Sequence, residues 1–252
     1  MALGLALVIR TLLLQTFYVP SGSMFQTLLL GDHVFVNKVL YGIRVPWTDL
    51  RLPGVREPAR GDVVVFQAAR GPHGRVVPAD RRQALPREDF IKRIVAVPGD
   101  LVEMRQGRLY VNGEQATGSS AEEPFVDPRG RELVVVNEEV PRCTYQVLDD
   151  PESRPFDLAP TRVEEGRYFM MGDNRDDSHD SRFFGTVRFQ EILGSAGLIY
   201  WSWDFTGPWG LGCLAPPDTS CLADSLLNPL TWWVNFTERT RWTRLGDSVS
   251  CR

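Results

Sequence analysis

Two serines that flank a glycine have the residue types of a nucleophilic site. Ser21 and Ser23 lie in the stretch YVPSGSMFQTLLLGD, residues 18–32, directly after a proline and an apolar segment. A serine hydroxyl is inert at neutral pH unless a neighbouring base accepts its proton. The base must therefore come from elsewhere in the chain, and the basic residues indicate where to look.

Only two of the 28 basic residues are lysines, Lys38 and Lys92. A GC-rich genome accounts for most of the excess of arginine, because it favours arginine codons wherever any cation will serve. Arginine keeps its proton in proteins, whereas a lysine withdrawn from water can become a neutral base. The two lysines are therefore the candidate bases.

Strand alternation describes the surroundings of each lysine but does not choose between them. In the segment FIKRIVAV, Lys92 shares one strand face with Phe90 and Ile94. A lysine on such a face either extends outward to water or is desolvated among apolar groups. Lys38 follows two valines on its own strand face, so both lysines remain candidates at this point.

The composition is that of an ordinary globular protein. Hydrophobic residues make up 43% and charged residues 24% of the 252 residues, and the net charge is −4. This charge indicates neither nucleic-acid binding nor a polybasic membrane patch. His33, His73 and His179 share no metal-ligand spacing and no CxxC pair occurs, so we expect no metal site and no cofactor.

Four cysteines allow three disulfide connectivities. An even number of cysteines would suit an oxidising compartment. Cys213 and Cys221 bracket the short polar loop CLAPPDTSC and are the favoured pair, which leaves Cys143 and Cys251. Reduced, buried cysteines are the alternative.

The first 18 residues are mostly apolar, and we interpret them as the outer end of a membrane-anchor helix whose upstream part lies outside this sequence. The unbroken apolar run covers only residues 2–9, fewer than the ~20 residues that a bilayer-spanning helix needs. The segment lacks the basic start and the small-residue cleavage site of a signal peptide. Arg10 and Tyr18 would lie near the membrane interface. The alternative is a buried amphipathic helix.

The rest of the chain predicts a mainly β fold. Short segments rich in valine, isoleucine and aromatic residues are bounded by Gly, Pro, Asp or Asn, as strands are. These segments are HVFVNKVLYG, GDVVVFQ, FIKRIVAVPGD, LVEMRQGRLYVNGE, ELVVVNEEV, RYFMMGDN and AGLIYWSWDF. We expect an anchor over residues 1–18, a β domain in two parts, 19–118 and 166–203, an inserted smaller β subdomain over 119–165, and a divergent C-terminal segment over 204–252.

Three segments resemble, in order and spacing, the sequence boxes of type I signal peptidases. They are PSGSM, RGDVVVF with IKRIVAVPGD, and GDNRDDSHDSRFFGTV, and the resemblance covers roughly residues 5–112 and 166–203. Members of this bacterial family are membrane-anchored serine proteases with a Ser/Lys dyad and a two-part, mostly antiparallel β-sheet fold. The resemblance therefore implies a peptidase that removes signal peptides from exported precursors after small residues.

The resemblance also implies the cellular location of the protein and its partners. The catalytic domain would lie on the extracytoplasmic side of the inner (plasma) membrane. Its partners would be the signal peptides of preproteins and membrane lipid, with no nucleic acid and no cofactor.

Position by position, the resemblance implies a complete catalytic site. Ser23 corresponds to the nucleophile and Lys92 to the general base. Ser21 and the backbone N–H of Ser23 correspond to the oxyanion hole, and Ser178 to the residue that hydrogen-bonds and orients the lysine. The remaining correspondences are the charged residues that support the site, Asp173, Asp180 and Arg182, and the residues that line shallow pockets for small side chains, Val19, Leu28 and Ile91.

The sequence departs from the family pattern at two places. Gln26 stands where proline is common, which should loosen the turn modestly without removing a catalytic group. His179 lies between Ser178 and Asp180 and suggests a Ser-His-Asp arrangement. Adjacent residues of a strand point to opposite faces, however, so we expect an exposed histidine instead of a catalytic one.

Two other functions fit part of the pattern. A self-cleaving repressor-type Ser/Lys protease shares the dyad, but it would carry a DNA-binding helix-turn-helix where this chain has an apolar segment. A catalytically inactive, membrane-anchored β domain could bind peptides, but it would not need the dyad and oxyanion serines. Penicillin-binding enzymes and α/β-hydrolases are excluded, because no SxxK includes either lysine and no GxSxG surrounds Ser23.

Overall fold

The strands in the described part of the chain form one large and two small antiparallel sheets. The computed structural model describes residues 13–45, 50–69, 76, 87–141, 143–204, 237 and 239–249. Short helical elements are α1 at Ser181–Phe184 and 3₁₀ turns at Gly22–Met24, Phe189–Glu191 and Trp242–Arg244. The strands are β1 Leu14–Tyr18, β2 Asp32–Asn37, β3 Val63–Ala69, β4 Arg87–Ala96, β5 Leu101–Arg105, β6 Arg108–Val111, β7 Glu114–Gln115, β8 Thr117–Ser120, β9 Phe125–Val126, β10 Glu132–Val140, β11 Cys143–Asp149, β12 Leu158–Arg162, β13 Arg167–Met171, β14 Val187–Arg188 and β15 Ile192–Ser202. The predicted mainly antiparallel β class is confirmed.

The large sheet has the strand order β1-β2-β15-β3-β4-β13-β14 and is buried on both faces around its centre. Val64 and Phe66 of β3 pack into one apolar cluster, whereas Val63 and Val65 pack into another on the opposite face. A strand covered on both sides reads as a continuous apolar run, which explains the sequence VVVF. This two-sided burial makes β3 and its neighbour β4 a rigid platform for side chains.

The two small sheets bring together strands that are far apart in the chain. One has the order β12-β5-β6-β7, and the other has the order β11-β10-β8 with β9 added to β10. In the first, Thr161 of β12 pairs with Val102 of β5. The small sheets therefore group residues 101–162, whereas the sequence predicted a separate unit over 119–165.

The segment Leu14–Tyr18 is a strand, which corrects the prediction of an anchor helix that reaches residue 18. It pairs with β2 from Leu14 opposite Asn37 to Tyr18 opposite His33. Its exposure alternates along LQTFY, and Phe17 packs against the core. Residues 1–12 lie outside the described part of the chain. Among the described residues, no helix has the length and apolarity needed to cross a bilayer.

Residues near the C-terminus return to the large sheet beside β15. Ser248 forms a bridge with Leu198, and Thr240 forms one with Trp203. A backbone hydrogen bond from Val249 N to Gly197 O, at 3.0 Å, extends the pairing of this segment with β15. The described part of the predicted divergent segment consists of residue 204, residue 237 and residues 239–249, and its C-terminal residues pack along the large sheet.

Cys143, the first residue of β11, is disulfide-bonded. Its bonding partner lies outside the described residues. The alternative of reduced cysteines is therefore wrong for Cys143. The favoured pair Cys213–Cys221 falls outside the described residues.

Candidate active site

Ser23 lies in a loop, residues 19–32, which we call the nucleophile loop. Two backbone bonds close its base, from Val19 N to Asp32 O at 2.9 Å and from Gly31 N to Val19 O at 3.2 Å. The sequence GSM forms a 3₁₀ turn at the far end, and Ser23 in that turn is only 8% exposed. The loop thus presents one buried hydroxyl from a short, closed piece of backbone.

Lys92 of β4 contacts this hydroxyl directly. The distance between Lys92 Nζ and Ser23 Oγ is 2.5 Å, and the lysine is 4% exposed. Strand alternation left open whether this lysine reaches water, and the structure places it in the interior. Lys38 follows β2, and the strands β15 and β3 separate β2 from β4 in the sheet. Of the two candidate bases, Lys92 is the one beside the serine.

Burial lowers the pKa of Lys92 to about 8, from 10.5 for a lysine in water. Desolvation of the ammonium is the main cause. The carboxylates of Asp180 and Asp173 oppose this change, and the Arg182 guanidinium adds to it. A substantial fraction of the amine is therefore neutral near pH 8 and able to accept the proton of Ser23.

Asp173 forms a buried ion pair that joins β4 to the nucleophile loop. Both of its oxygens accept from Arg93, at 2.8 and 2.7 Å, and one also accepts from Thr27 Oγ1 at 2.5 Å. Arg93 precedes Ile94 on β4 and points to the face opposite Lys92. Removing one partner of such a buried pair typically costs ~3–5 kcal/mol, since the other charge is left uncompensated. The pair therefore fixes the loop against the strand that carries the base.

Asp180 organises the turn that packs against the lysine. Its carboxylate accepts from Arg182 Nε at 2.8 Å, from Gly172 N at 3.0 Å and from Ser178 Oγ at 2.8 Å. Burial alone would raise the pKa of Asp180, but the guanidinium of Arg182 and these hydrogen bonds hold it below its ordinary value. The side chain thus remains ionised, and it also caps the first turn of α1.

The structure corrects the predicted role of Ser178 in one respect. Its hydroxyl donates to Asp180, and within the described residues no hydrogen bond joins it to Lys92. A carboxylate is the stronger acceptor, and a charge-assisted bond of this kind is favoured over one to an amine. Ser178 contributes to the turn around the lysine through Asp180.

Gly172 was not singled out from the sequence, yet it is the point of closest approach in the site. A Cβ atom at this position would lie 2.3 Å from Ser178 Oγ and 2.5 Å from the carbonyl oxygen of Ser23. The next residues continue the contact, because Asn174 N donates to the Ser23 carbonyl at 3.1 Å. The sequence signal for this close approach is the glycine that opens the third box, GDN, because a residue without a side chain permits close backbone contact.

A second buried ion pair connects this segment with a small sheet. Arg175 forms a bidentate pair with Glu138 of β10, and the two side chains are 6% and 1% exposed. Arg175 Nε also donates to the Gly172 carbonyl at 3.2 Å. No pattern in the sequence predicts this contact, since Glu138 lies in the region of the expected insertion, residues 119–165.

Ser21 lies next to the nucleophile at the surface. Its Oγ is 3.4 Å from Ser23 Oγ, and its side chain is exposed. Among the described residues, the backbone N–H of Ser23 has no acceptor. Both donors are therefore available to an atom that approaches Ser23 from the solvent side.

The three predicted pocket residues pack in one apolar cluster, to which the nucleophile loop contributes two and β4 one. Val19 and Leu28 are buried at 1% and 0% exposure, and Ile91 of β4 is half-buried. Ile91 precedes the base and pairs with Val65 of β3. The structure thus brings these residues close to the dyad, with Ile91 nearest to solvent.

Gln26 and His179 were the two departures from the family pattern. Gln26 has φ 79°, a left-handed backbone that proline, fixed near −65°, cannot adopt. Its side chain donates to Gln146 Oε1 at 2.9 Å. A proline could therefore not replace Gln26 without a change in the backbone of the loop. His179 is exposed, as expected, and its ring stacks on Phe183 at 5.2 Å.

Most of this chain can be aligned with proteins of a known family. Residues 1–201 match the family model described as signal peptidase, peptidase S26. The chain is 36% identical over 215 residues to a signal peptidase I of Pseudomonas aeruginosa, covering 80% of this chain and 69% of the relative. It is 34% identical over 221 residues to a signal peptidase I of Pseudomonas fluorescens, with coverage of 80% and 69%. A solved signal peptidase I structure from Enterococcus faecalis matches with a TM-score of 0.31 and 24% identity, over 56% of this chain and 98% of that one.

Proposed function

The chain belongs to the signal peptidase family, peptidase S26, and we propose that it is a membrane-anchored serine endopeptidase that removes signal peptides from exported precursors. The observation that carries this proposal is the buried contact of 2.5 Å between Lys92 Nζ and Ser23 Oγ. A desolvated amine beside a serine hydroxyl supplies a base and a nucleophile. Its catalytic domain faces the extracytoplasmic side of the plasma membrane, where the precursors emerge.

Acylation begins when neutral Lys92 accepts the proton of Ser23 as Oγ attacks the scissile carbonyl carbon. The carbonyl oxygen becomes a tetrahedral oxyanion, and it lies between the backbone N–H of Ser23 and the Ser21 hydroxyl. Each such donor typically contributes ~3 kcal/mol to transition-state stabilisation. Lys92 then returns the proton to the leaving amine, and the signal peptide remains as an ester on Ser23.

Deacylation uses the same groups in the reverse order. Lys92, neutral again, accepts a proton from water as the water oxygen attacks the ester carbonyl. The same two donors stabilise the second oxyanion, and the protonated amine returns its proton to Ser23 Oγ as the ester bond breaks. No group beyond the dyad and the two donors is needed for the proton balance.

The substrate binds as an extended strand along β4. The strand β13 pairs with β4 only from Arg93 to Ala96, whereas β4 begins at Arg87. Ile91 therefore lies just beyond the last β13 pair and next to the base. A peptide added there by β-augmentation would place its carbonyl at Ser23 and its alternate side chains at Val19, Leu28 and Ile91. Val19 and Leu28 are almost fully buried and leave little open space beside Ile91, which supports a preference for small side chains.

The proposal is tested with two fluorogenic peptides and two lysine variants. A peptide with Ala at positions −1 and −3 should be cut, and a peptide with bulky residues there should not. Lys92→Arg keeps the charge but cannot supply a neutral base, so the variant should lose activity while it remains folded. Lys38→Arg, the matched control, should retain nearly normal kcat.

Two outcomes would contradict parts of the proposal. Equal cleavage of both peptides would show that the pocket residues are misassigned. An active Lys92→Arg enzyme, or an inactive Lys38→Arg enzyme, would show that the base and therefore the mechanism are wrong. A cleaved and released signal peptide, detected by mass spectrometry with a full precursor, checks the substrate class.

A further inference from the structure

Three carbonyl oxygens of the nucleophile loop accept hydrogen bonds from residues that follow β15 in the chain. Arg244 donates to the Thr27 carbonyl at 2.9 Å, and Arg241 donates to the Leu30 carbonyl at 2.8 Å. Trp203 N donates to the Gly31 carbonyl at 3.0 Å. All three donors lie beyond residue 201, where the match to the family model ends.

Arg244 also binds the acid at the base of the loop. Its guanidinium donates to the two oxygens of Asp32, at 3.3 and 2.6 Å. Asp32 is fully buried, and it accepts from Ser202 Oγ at 2.6 Å and from Leu29 N at 2.8 Å as well. One planar guanidinium therefore joins the start of β2 to the backbone of the nucleophile loop.

Thr27 connects these contacts with the dyad. Its carbonyl accepts from Arg244, while its hydroxyl donates to Asp173, the partner of Arg93 on β4. Arg93 is adjacent to Lys92 in the strand. Thr27 is thus held through its backbone by Arg244 and through its side chain by Asp173, which is paired with Arg93 of β4.

We propose that residues 239–249, together with Trp203, form a clasp that positions the nucleophile loop, with Arg244 as its main positioning residue. This inference rests on the proposed function for its effect on catalysis. Arg244 does not approach the reacting atoms. It acts by fixing the backbone of Thr27 and the carboxylate of Asp32, so that Ser23 Oγ stays within reach of Lys92. A displacement of about 1 Å in a reacting group can cost about 10²-fold in rate.

The kinetic test compares two substitutions of Arg244 with a charge-matched control. Arg244→Ala should lower kcat by roughly 10- to 100-fold. KM should change by a smaller factor, because Ile91 of β4 stays in place although Val19 and Leu28 belong to the loop. Arg244→Lys should be intermediate, since an ammonium can bind Asp32 or the Thr27 carbonyl but lacks the guanidinium fork. Arg108→Ala, which removes an exposed arginine of β6, should leave both constants unchanged.

Hydrogen exchange provides a readout that does not depend on activity. In Arg244→Ala, the amides of residues 19–32 should exchange faster, while those of β3 and β4 keep their wild-type rates. If Arg244→Ala does not fold, the exchange of residues 19–32 and of β3 and β4 is compared in Arg244→Lys instead.

The outcomes separate this inference from the proposed function. Unchanged kcat and unchanged loop exchange in Arg244→Ala would overturn the clasp, even if the wild-type protein is an active peptidase. Faster exchange over the whole sheet would also overturn it, because Arg244 would then act on general stability alone. An inactive wild-type protein would overturn the proposed function and the catalytic role of the clasp, whereas loop-specific exchange would still support the contact itself.

Discussion

Burial lowers the pKa of Lys92, so the rate should follow the protonation of this side chain. Its pKa is lowered to about 8, and in the proposed mechanism the neutral amine is the base. Below this value we expect kcat/KM to rise about tenfold for each pH unit, and above it to level off. A pH–rate profile on the Ala-containing peptide from pH 6 to 10 measures this. If the rise in kcat/KM instead levelled off near pH 6.5, the base would be a histidine.

Ser21 should contribute to the rate without contributing much to substrate binding. If its hydroxyl donates to the oxyanion, Ser21→Ala should lower kcat by roughly 10²- to 10³-fold with little change in KM. Ser119→Ala, an exposed serine of β8, serves as the control. Steady-state kinetics with near-normal kcat for Ser21→Ala would show that other donors stabilise the oxyanion.

At the scale of single residues, the sequence was most informative where chemistry restricts the residue type. The scarcity of lysine led to Lys38 and Lys92, but alternation could not choose between them, since both follow apolar residues in strands. Only the resemblance selected Lys92. The hydrogen bond of Ser178 was mispredicted because its acceptor, Asp180, depends on how a turn folds back on itself. Such turn geometry has no periodic pattern that a sequence can display.

At the scale of elements, the contact between the nucleophile loop and the segment after β13 requires a residue without a side chain. Gly172→Ala would place a Cβ atom 2.5 Å from the Ser23 carbonyl. We expect it to lower the free energy of unfolding by ~1–3 kcal/mol, as overpacking does, and to reduce kcat strongly. Gly197→Ala is the matched control, because its nearest atom lies at 3.9 Å.

Chemical denaturation and peptide cleavage measure the two effects for both glycine variants. A Gly172→Ala protein with wild-type kcat and stability would show that the close approach is not needed.

The strands were predictable because their burial is periodic or continuous, as in VVVF of β3. Their partners were less predictable. The pairing of β12 with β5 joins residues more than fifty positions apart, and local sequence does not specify such partners, so the boundary of the small sheets was misplaced. The apolar content of residues 1–18 favours a helix. In Leu14–Tyr18, however, exposed and half-buried residues alternate, as they do in a strand.

At the scale of the whole molecule, the disulfide at Cys143 should stabilise the small sheets without taking part in the chemistry. The bond lies at the start of β11, whereas the dyad lies on β4 and the nucleophile loop. We expect reduction to lower the thermal unfolding temperature while kcat on a short peptide changes little. Mass spectrometry of the alkylated, unreduced protein should find Cys143 protected. A free thiol at Cys143 would contradict the structure.

The site draws on segments that are distant along the chain, and this has a consequence for how the protein is made. Asn174 contacts the backbone of Gly22 across 152 positions, and the dyad itself spans 69. A ribosome therefore produces the nucleophile early and the residues that hold it in place late. The nucleophile loop therefore cannot reach the arrangement described above until the GDN segment has been synthesised. A nascent chain that ends before this segment lacks the contacts from Asn174 that hold the backbone beside Ser23.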